Sequence, residues 1–217
     1  MEEKNKKPWE QRNYTFEIRA DDQEEENGVG IIEGRAIVYK SKTDLGPFEE
    51  IIEPGALGKT DLTDVRFLIN HNIDMVPLAR SRKNNKNSTM QLIVDDKGLK
   101  IRAKLDIANN SDSRNLYSAI KRGDISGMSF MFSINGEKWE GLDTEHPTRH
   151  ITDIAAVVEV SAVIFPAYEE TEIGTRCKSA LENARTALEN ARSTEEELGN
   201  SDDLELEKLR FKYLYGL

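Results

Sequence analysis

Two residues carry the chemistry that this chain can be read to perform. His71 closes the apolar run Phe67-Leu68-Ile69-Asn70-His71-Asn72, and Ser129 lies within Gly127-Met128-Ser129-Phe130-Met131-Phe132. A serine hydroxyl is a weak nucleophile at neutral pH and becomes a useful one when an imidazole takes its proton as the new bond forms. Histidine suits that task because its unperturbed pKa lies near ~6.5. Read as general base and nucleophile, the pair describes a serine hydrolase.

The setting of each residue separates it from its namesakes. Of the 3 histidines, His146 and His150 fall in the polar stretch Thr144-Glu145-His146-Pro147-Thr148-Arg149-His150, which reads as a loop, whereas His71 adjoins a buried strand. Strand alternation in residues 125–134 puts Met128, Phe130, Phe132 and Ile134 on one face and Gly127, Ser129 and Ser133 on the other. On that pattern alone, a half-exposed strand whose polar residues face solvent is the favoured reading of Ser129.

Four stretches shift the balance. They are Gly34-Arg35-Ala36-Ile37-Val38-Tyr39 with Ile52-Glu53-Pro54-Gly55-Ala56-Leu57, the His71 segment, residues 127–132, and Glu159-Val160-Ser161-Ala162-Val163-Ile164-Phe165-Pro166-Ala167. In order and content they resemble the prohead (procapsid maturation) proteases of tailed phages across roughly residues 14–168, a family similar in fold and catalytic design to the herpesvirus assemblin proteases. The resemblance implies an assemblin-like form, and the strand pattern and the helical spacing beyond residue 171 give the fold expectation: an α+β, mostly antiparallel β-barrel with flanking helices and a helical C-terminal tail. It also implies a serine endopeptidase with His71 and Ser129 at the matching positions and a third member that is an acid or a second histidine.

For that third member the expectation is Glu159, the charged residue embedded deepest in the apolar run of residues 151–165. A carboxylate among valines costs free energy unless something pairs with it, and an imidazole that becomes cationic during turnover is a suitable partner. Without the family likeness Glu159 reads equally as a cross-strand partner of a Lys or Arg. Asp153 is the fallback acid; it lies six residues earlier, about 20 Å at ~3.3 Å rise per residue, so the two cannot both touch His71. In the assemblin-like design the oxyanion donors follow the strand that bears the third member, which here points to Ala167 or Tyr168. That loop lacks the arginine-rich character of the herpesvirus enzymes.

The implied substrates are the scaffolding protein, the scaffold-like segment of the major capsid protein precursor, and the chain itself. The implied place is the interior of the procapsid in the host bacterial cytoplasm. The competing class is a non-catalytic capsid assembly or scaffold protein on the same fold, and a metal-dependent hydrolase ranks last.

Composition agrees with this reading. A chain of 217 residues with 37% hydrophobic residues suits one modest core plus a tail. A net charge of -10 argues against nucleic acid as a partner, because phosphate binding needs a concentrated basic surface. The single cysteine, Cys177, permits no internal disulfide and reads as a free structural thiol. No cysteine pair and no HExxH helix suggests a metal, Pro147 disfavours a helical His146/His150 pair, and no apolar run is long enough for a signal peptide or a membrane span. No cofactor is expected.

The elements that must hold the pair follow in order. Residues 1–12 read as a flexible start, 13–170 as the protease domain and 171–217 as a helical tail. Strands are expected at residues 14–18, 29–39 and 65–70, with an acidic loop at 21–27 and a polar loop at 84–88. A hairpin over 90–94 and 99–105 turns at Asp95-Asp96-Lys97-Gly98. One helix, capped by Ser111 or Ser113 and stopped at Gly123, has Leu116, Tyr117 and Ile120 on a face and delivers the chain into the Ser129 strand. In the tail, Leu181, Ala184, Leu188 and Ala191 have helical spacing, and a second helix carries Leu204, Leu206, Leu209, Phe211 and Leu214.

Overall fold

The alternating runs of the sequence form two β-sheets that close over one core. The structure is a computed structural model that describes residues 9–14, 18–20, 28–164 and 178–190. In chain order its strands are β1 (Glu10–Tyr14), β2 (Ile18–Ala20), β3 (Val29–Val38), β4 (Lys42–Asp44), β5 (Glu49–Ile52) and β6 (Asp64–Ile69). After these come β7 (Ala79–Arg82), β8 (Met90–Asp95), β9 (Gly98–Asp106), helix α1 (Ser111–Arg122), β10 (Gly127–Glu140) and β11 (Thr148–Val163). Residues 178–190 are also helical. No helix among the described residues is long and apolar enough to cross a membrane.

The smaller sheet runs β2-β3-β9-β8 and is antiparallel throughout. Its β8–β9 hairpin turns where expected. Asp95 Oδ1 accepts the backbone N–H groups of Lys97 and Gly98 at 2.8 and 3.0 Å, and Arg35 donates to both oxygens of Asp95 at 2.6 and 2.7 Å. Gly98 has φ 133 and a Cβ there would lie 2.0 Å from the Ile37 carbonyl oxygen, so only glycine fits this turn.

The larger sheet runs β1-β10-β11-β5-β4, with β6 joined to β11 and β7 to β6. It is not a closed barrel: among the described residues the two sheets remain separate, and the expected assemblin-like barrel is corrected to two sheets facing each other. The strand that organises this sheet is β11, of 16 residues. β10 lines one edge, while β5 pairs in parallel with Thr148–Ile151 and β6 in parallel with Glu159–Ala162 on the other. Hairpin signals reveal antiparallel neighbours in sequence and say nothing of parallel partners about a hundred residues away.

One apolar cluster draws Ile32, Ile37, Leu99, Ile101 and Leu105 from the small sheet and Phe67, Phe130, Phe132 and Val160 from the large one. Helix α1 adds Leu116, Tyr117 and Ile120, the face read from its spacing. Its N-cap is Asn110 rather than Ser111 or Ser113: the Asn110 side chain accepts from the Asp112 and Ser113 backbone N–H groups, and both serines fall inside the first turn. Gly123, φ 80, ends the helix as expected.

Two further expectations change. β1 starts at Glu10, three residues inside the segment read as a flexible start, because Arg12 is buried in ion pairs with Glu10 and Glu50. His150 lies on β11, not in a loop, with its Nδ1 2.7 Å from Glu53 Oε1, while His146 stays in the preceding loop. The acidic loop at 21–27, Cys177 and the helix expected over 204–214 lie outside the described residues. In the helix of residues 178–190, Leu181 is buried against Phe48, and the Arg185 guanidinium donates to the Leu142 and Thr144 carbonyls.

Candidate active site

β6 alternates cleanly: Val65 and Phe67 enter the core and Arg66 and Leu68 take the other face. The strand then stops abruptly. Asn70 (φ 49) and His71 (φ 57) are two consecutive left-handed residues, a conformation that costs free energy outside glycine and persists only where its surroundings fix it. Three hydrogen bonds do so. Asn70 N–H donates to the Ala162 carbonyl at 2.9 Å, Ile164 N–H donates to Asn70 Oδ1 at 3.1 Å, and His71 N–H donates to Ser161 Oγ at 3.1 Å. Asn and His are among the residue types that tolerate this region best, so Asn70-His71 is suited to the turn that re-aims the ring.

That turn brings His71 onto Glu159. The ring's Nδ1 is hydrogen-bonded to Glu159 Oε1, and the glutamate is buried, with 3% of its side chain exposed. A carboxylate only accepts, so Nδ1 carries the proton of the neutral ring and Nε2 is its basic nitrogen. The second carboxylate oxygen, Oε2, accepts from Ser161 Oγ at 2.6 Å.

β10 supplies Ser129. Its register partner on β11 is Ser161, so the two hydroxyls rise from the same face, with Cβ atoms about 4.5–5.5 Å apart as cross-strand pairs are. Glu159, two residues before Ser161, shares that face. Ser129, Glu159 and His71 are therefore gathered on the side of the large sheet away from the core. The polar side of β10 is not solvent-facing here, as the alternation alone suggested: Ser129 is fully buried and its hydroxyl donates to the Arg12 carbonyl at 2.8 Å. The backbone partner of Ser129 on that side is Asn13 of β1.

Asp153 stands apart from this group. It sits on β11 opposite Gly136 and accepts from Asn135 Nδ2 at 2.8 Å. Ala167 and Tyr168 lie outside the described residues. Ser161 was not singled out from the sequence; the signal that marks it is its place two residues after Glu159 on a strand, hence on the same face. Among the described residues no group of three or more His, Cys, Asp or Glu could hold a metal ion.

A histidine oriented by a buried carboxylate, on one sheet face with a serine hydroxyl, is an arrangement suited to acyl transfer. No match is found among curated proteins or among solved structures. The family model of caudovirus prohead serine proteases matches residues 14–186, well over half of the chain and all of the strands that carry His71, Ser129 and Glu159. The chain belongs to the caudovirus prohead serine protease family.

Proposed function

We propose that this protein is the endopeptidase that matures a phage procapsid from within, cutting the scaffolding protein or the scaffold segment of the major capsid precursor, and trimming its own C-terminal tail. Ser129 Oγ attacks the scissile carbonyl, and His71 Nε2 takes its proton. Collapse of the tetrahedral intermediate breaks the C–N bond as His71 returns that proton to the leaving amine, and water then hydrolyses the acyl-enzyme by the same base. Glu159 keeps the ring in the required tautomer and stabilises the imidazolium. The observation that carries this reading is the His71–Glu159 pair on the sheet face that holds Ser129. A relation to the herpesvirus assemblin proteases is part of the same proposal, resting on the four stretches of sequence that resemble the prohead proteases.

One observation favours the competing reading, a non-catalytic assembly protein. Ser129 is fully buried and bonded to Arg12 O, and a polypeptide cannot reach a hydroxyl so covered. Under the protease reading this is a closed state: the cover must open, and the hydroxyl must turn from the Arg12 carbonyl toward His71. Intact mass over time, for wild type and Ser129→Ala each co-expressed with the capsid precursor, separates the two. Truncation of the precursor with wild type alone supports the protease; an intact precursor in both moves the assignment to an assembly protein.

A further inference from the structure

We infer that Ser161 is a positioning residue of this site, acting on the reaction through Glu159 and His71. The inference rests on the catalytic reading above and adds a fourth member to it. A serine hydroxyl has one proton to give and lone pairs to accept with, and Ser161 uses both toward the same pair of residues. It donates to Glu159 Oε2 at 2.6 Å and accepts from the His71 backbone N–H at 3.1 Å. One buried oxygen thus ties the imidazole's carboxylate partner to the imidazole's own backbone.

The need for such a tie follows from two features. A carboxylate with 3% of its surface exposed must have both oxygens satisfied, and with Oε1 engaged by the ring, Ser161 satisfies Oε2. The left-handed pair Asn70-His71 must be held by its surroundings, and the His71 N–H has its acceptor in Ser161 Oγ. Ser161 is fully buried and directly opposite Ser129 in register. Its hydroxyl therefore sits at the centre of the constellation, where a small displacement moves the base relative to the nucleophile.

The test is the rate at which a fluorophosphonate labels Ser129 in the full-length chain co-expressed with the capsid precursor, under conditions in which wild type is labelled, followed by intact mass and resolved into a binding constant and a maximal labelling rate. Ser161→Ala is expected to slow the maximal rate by about 10- to 100-fold, as a misplacement of reacting groups by about 1 Å does, with the binding constant unchanged. Ser161→Thr, which keeps the hydroxyl, restores most of it. A double-mutant cycle guards against a general loss of structure: in a Glu159→Gln background the Ser161→Ala change has little further effect if Ser161 works through the carboxylate. Equal maximal rates for wild type and Ser161→Ala, or full additivity in the cycle, overturn the inference. If Ser129→Ala is itself labelled as fast as wild type, the nucleophile assignment falls instead, so the two failures are told apart.

Discussion

β11 carries a buried carboxylate pair at each end, and the two differ in one respect. Near its C-terminal end Glu159 meets an imidazole. Near its N-terminal end Arg149 meets Glu50, which is wholly buried on β5 and also accepts from Arg12 Nη2 at 2.7 Å. Glu10 and Glu137 complete that second cluster, and the guanidiniums lie over the rings of Phe132, Phe48 and Trp139. Guanidinium is a permanent cation, so the Glu50 cluster holds no group that can relay a proton at neutral pH and serves as a clamp of β1, β5 and β11. An imidazole has two ring nitrogens, and with Nδ1 engaged by Glu159 the other is left as an acceptor, so the Glu159 pair has the chemistry that a proton transfer needs. Burial of a carboxylate does not by itself distinguish the two ends; the partner does, a permanent cation at one end and an imidazole at the other.

The comparison breaks most visibly at His71. His71→Ala is expected to lower cleavage of the capsid precursor by on the order of 10⁴- to 10⁶-fold, the range seen when a triad base is removed. The accompanying loss of stability, from leaving Glu159 Oε1 without its partner, is about 1–3 kcal/mol. Cleavage assays beside urea denaturation read both. Activity within tenfold of wild type would remove His71 from the chemistry.

The same substitution at the two carboxylates then sharpens the contrast. Glu159→Gln keeps the shape and should cost about 10⁴-fold in activity, by permitting the wrong tautomer of His71, with little change in denaturation midpoint. Glu50→Gln leaves Arg12 and Arg149 short of a buried counter-charge and should cost about 3–5 kcal/mol of stability. The fraction still folded should cleave at the wild-type rate. If the outcomes were exchanged, the clamp and the site would have been assigned to the wrong ends of β11.

How far the sequence alone could go differs between these two ends. His71 and Ser129 stand out because each is a reactive side chain at a strand's edge, and Glu159 because charge amid valines needs a reason. Strand alternation correctly put Phe130 and Phe132 in the core. Ser161 stayed hidden, since a serine on an apolar strand looks unremarkable until the register sets it opposite Ser129. The Glu50 cluster was hidden entirely: its members come from β1, β5, β10 and β11, and only the parallel β5–β11 pairing, which no local pattern encodes, brings Glu50 beside Arg149.

Acid sharpens the description of the clamp. Burial would raise the Glu10 carboxyl, but the guanidiniums of Arg12 and Arg149 outweigh it and hold the group below its usual range. Arg80 does the same for Asp64 by direct hydrogen bonding, and Arg35 holds Asp95 far lower still. A carboxyl lowered on folding stabilises the native state above its unfolded pKa, near ~4, and that contribution fades as pH falls through the folded value. Urea midpoints should therefore be flat from neutrality to about pH 5 and fall steeply below ~4. Glu10→Gln should be less stable at neutral pH and show a shallower acid decline; a decline as steep as wild type would place the acid sensitivity elsewhere.

The smallest effect is expected at Asp153, which shares β11 with Glu159 and was the alternative acid from sequence alone. Its carboxylate accepts from Asn135, a contact that an asparagine at 153 can largely reproduce by presenting its own carbonyl oxygen to the Asn135 amide. Asp153→Asn should leave stability within about 0.5 kcal/mol, as partly exposed positions do, and cleavage of the capsid precursor within a factor of about two. Measured beside Glu159→Gln under the same conditions, it asks whether the acid's identity follows from contact with His71 or only from lying on the same strand. A loss at Asp153 comparable to that at Glu159 would make charge along β11, rather than the hydrogen bond to the ring, the property that matters.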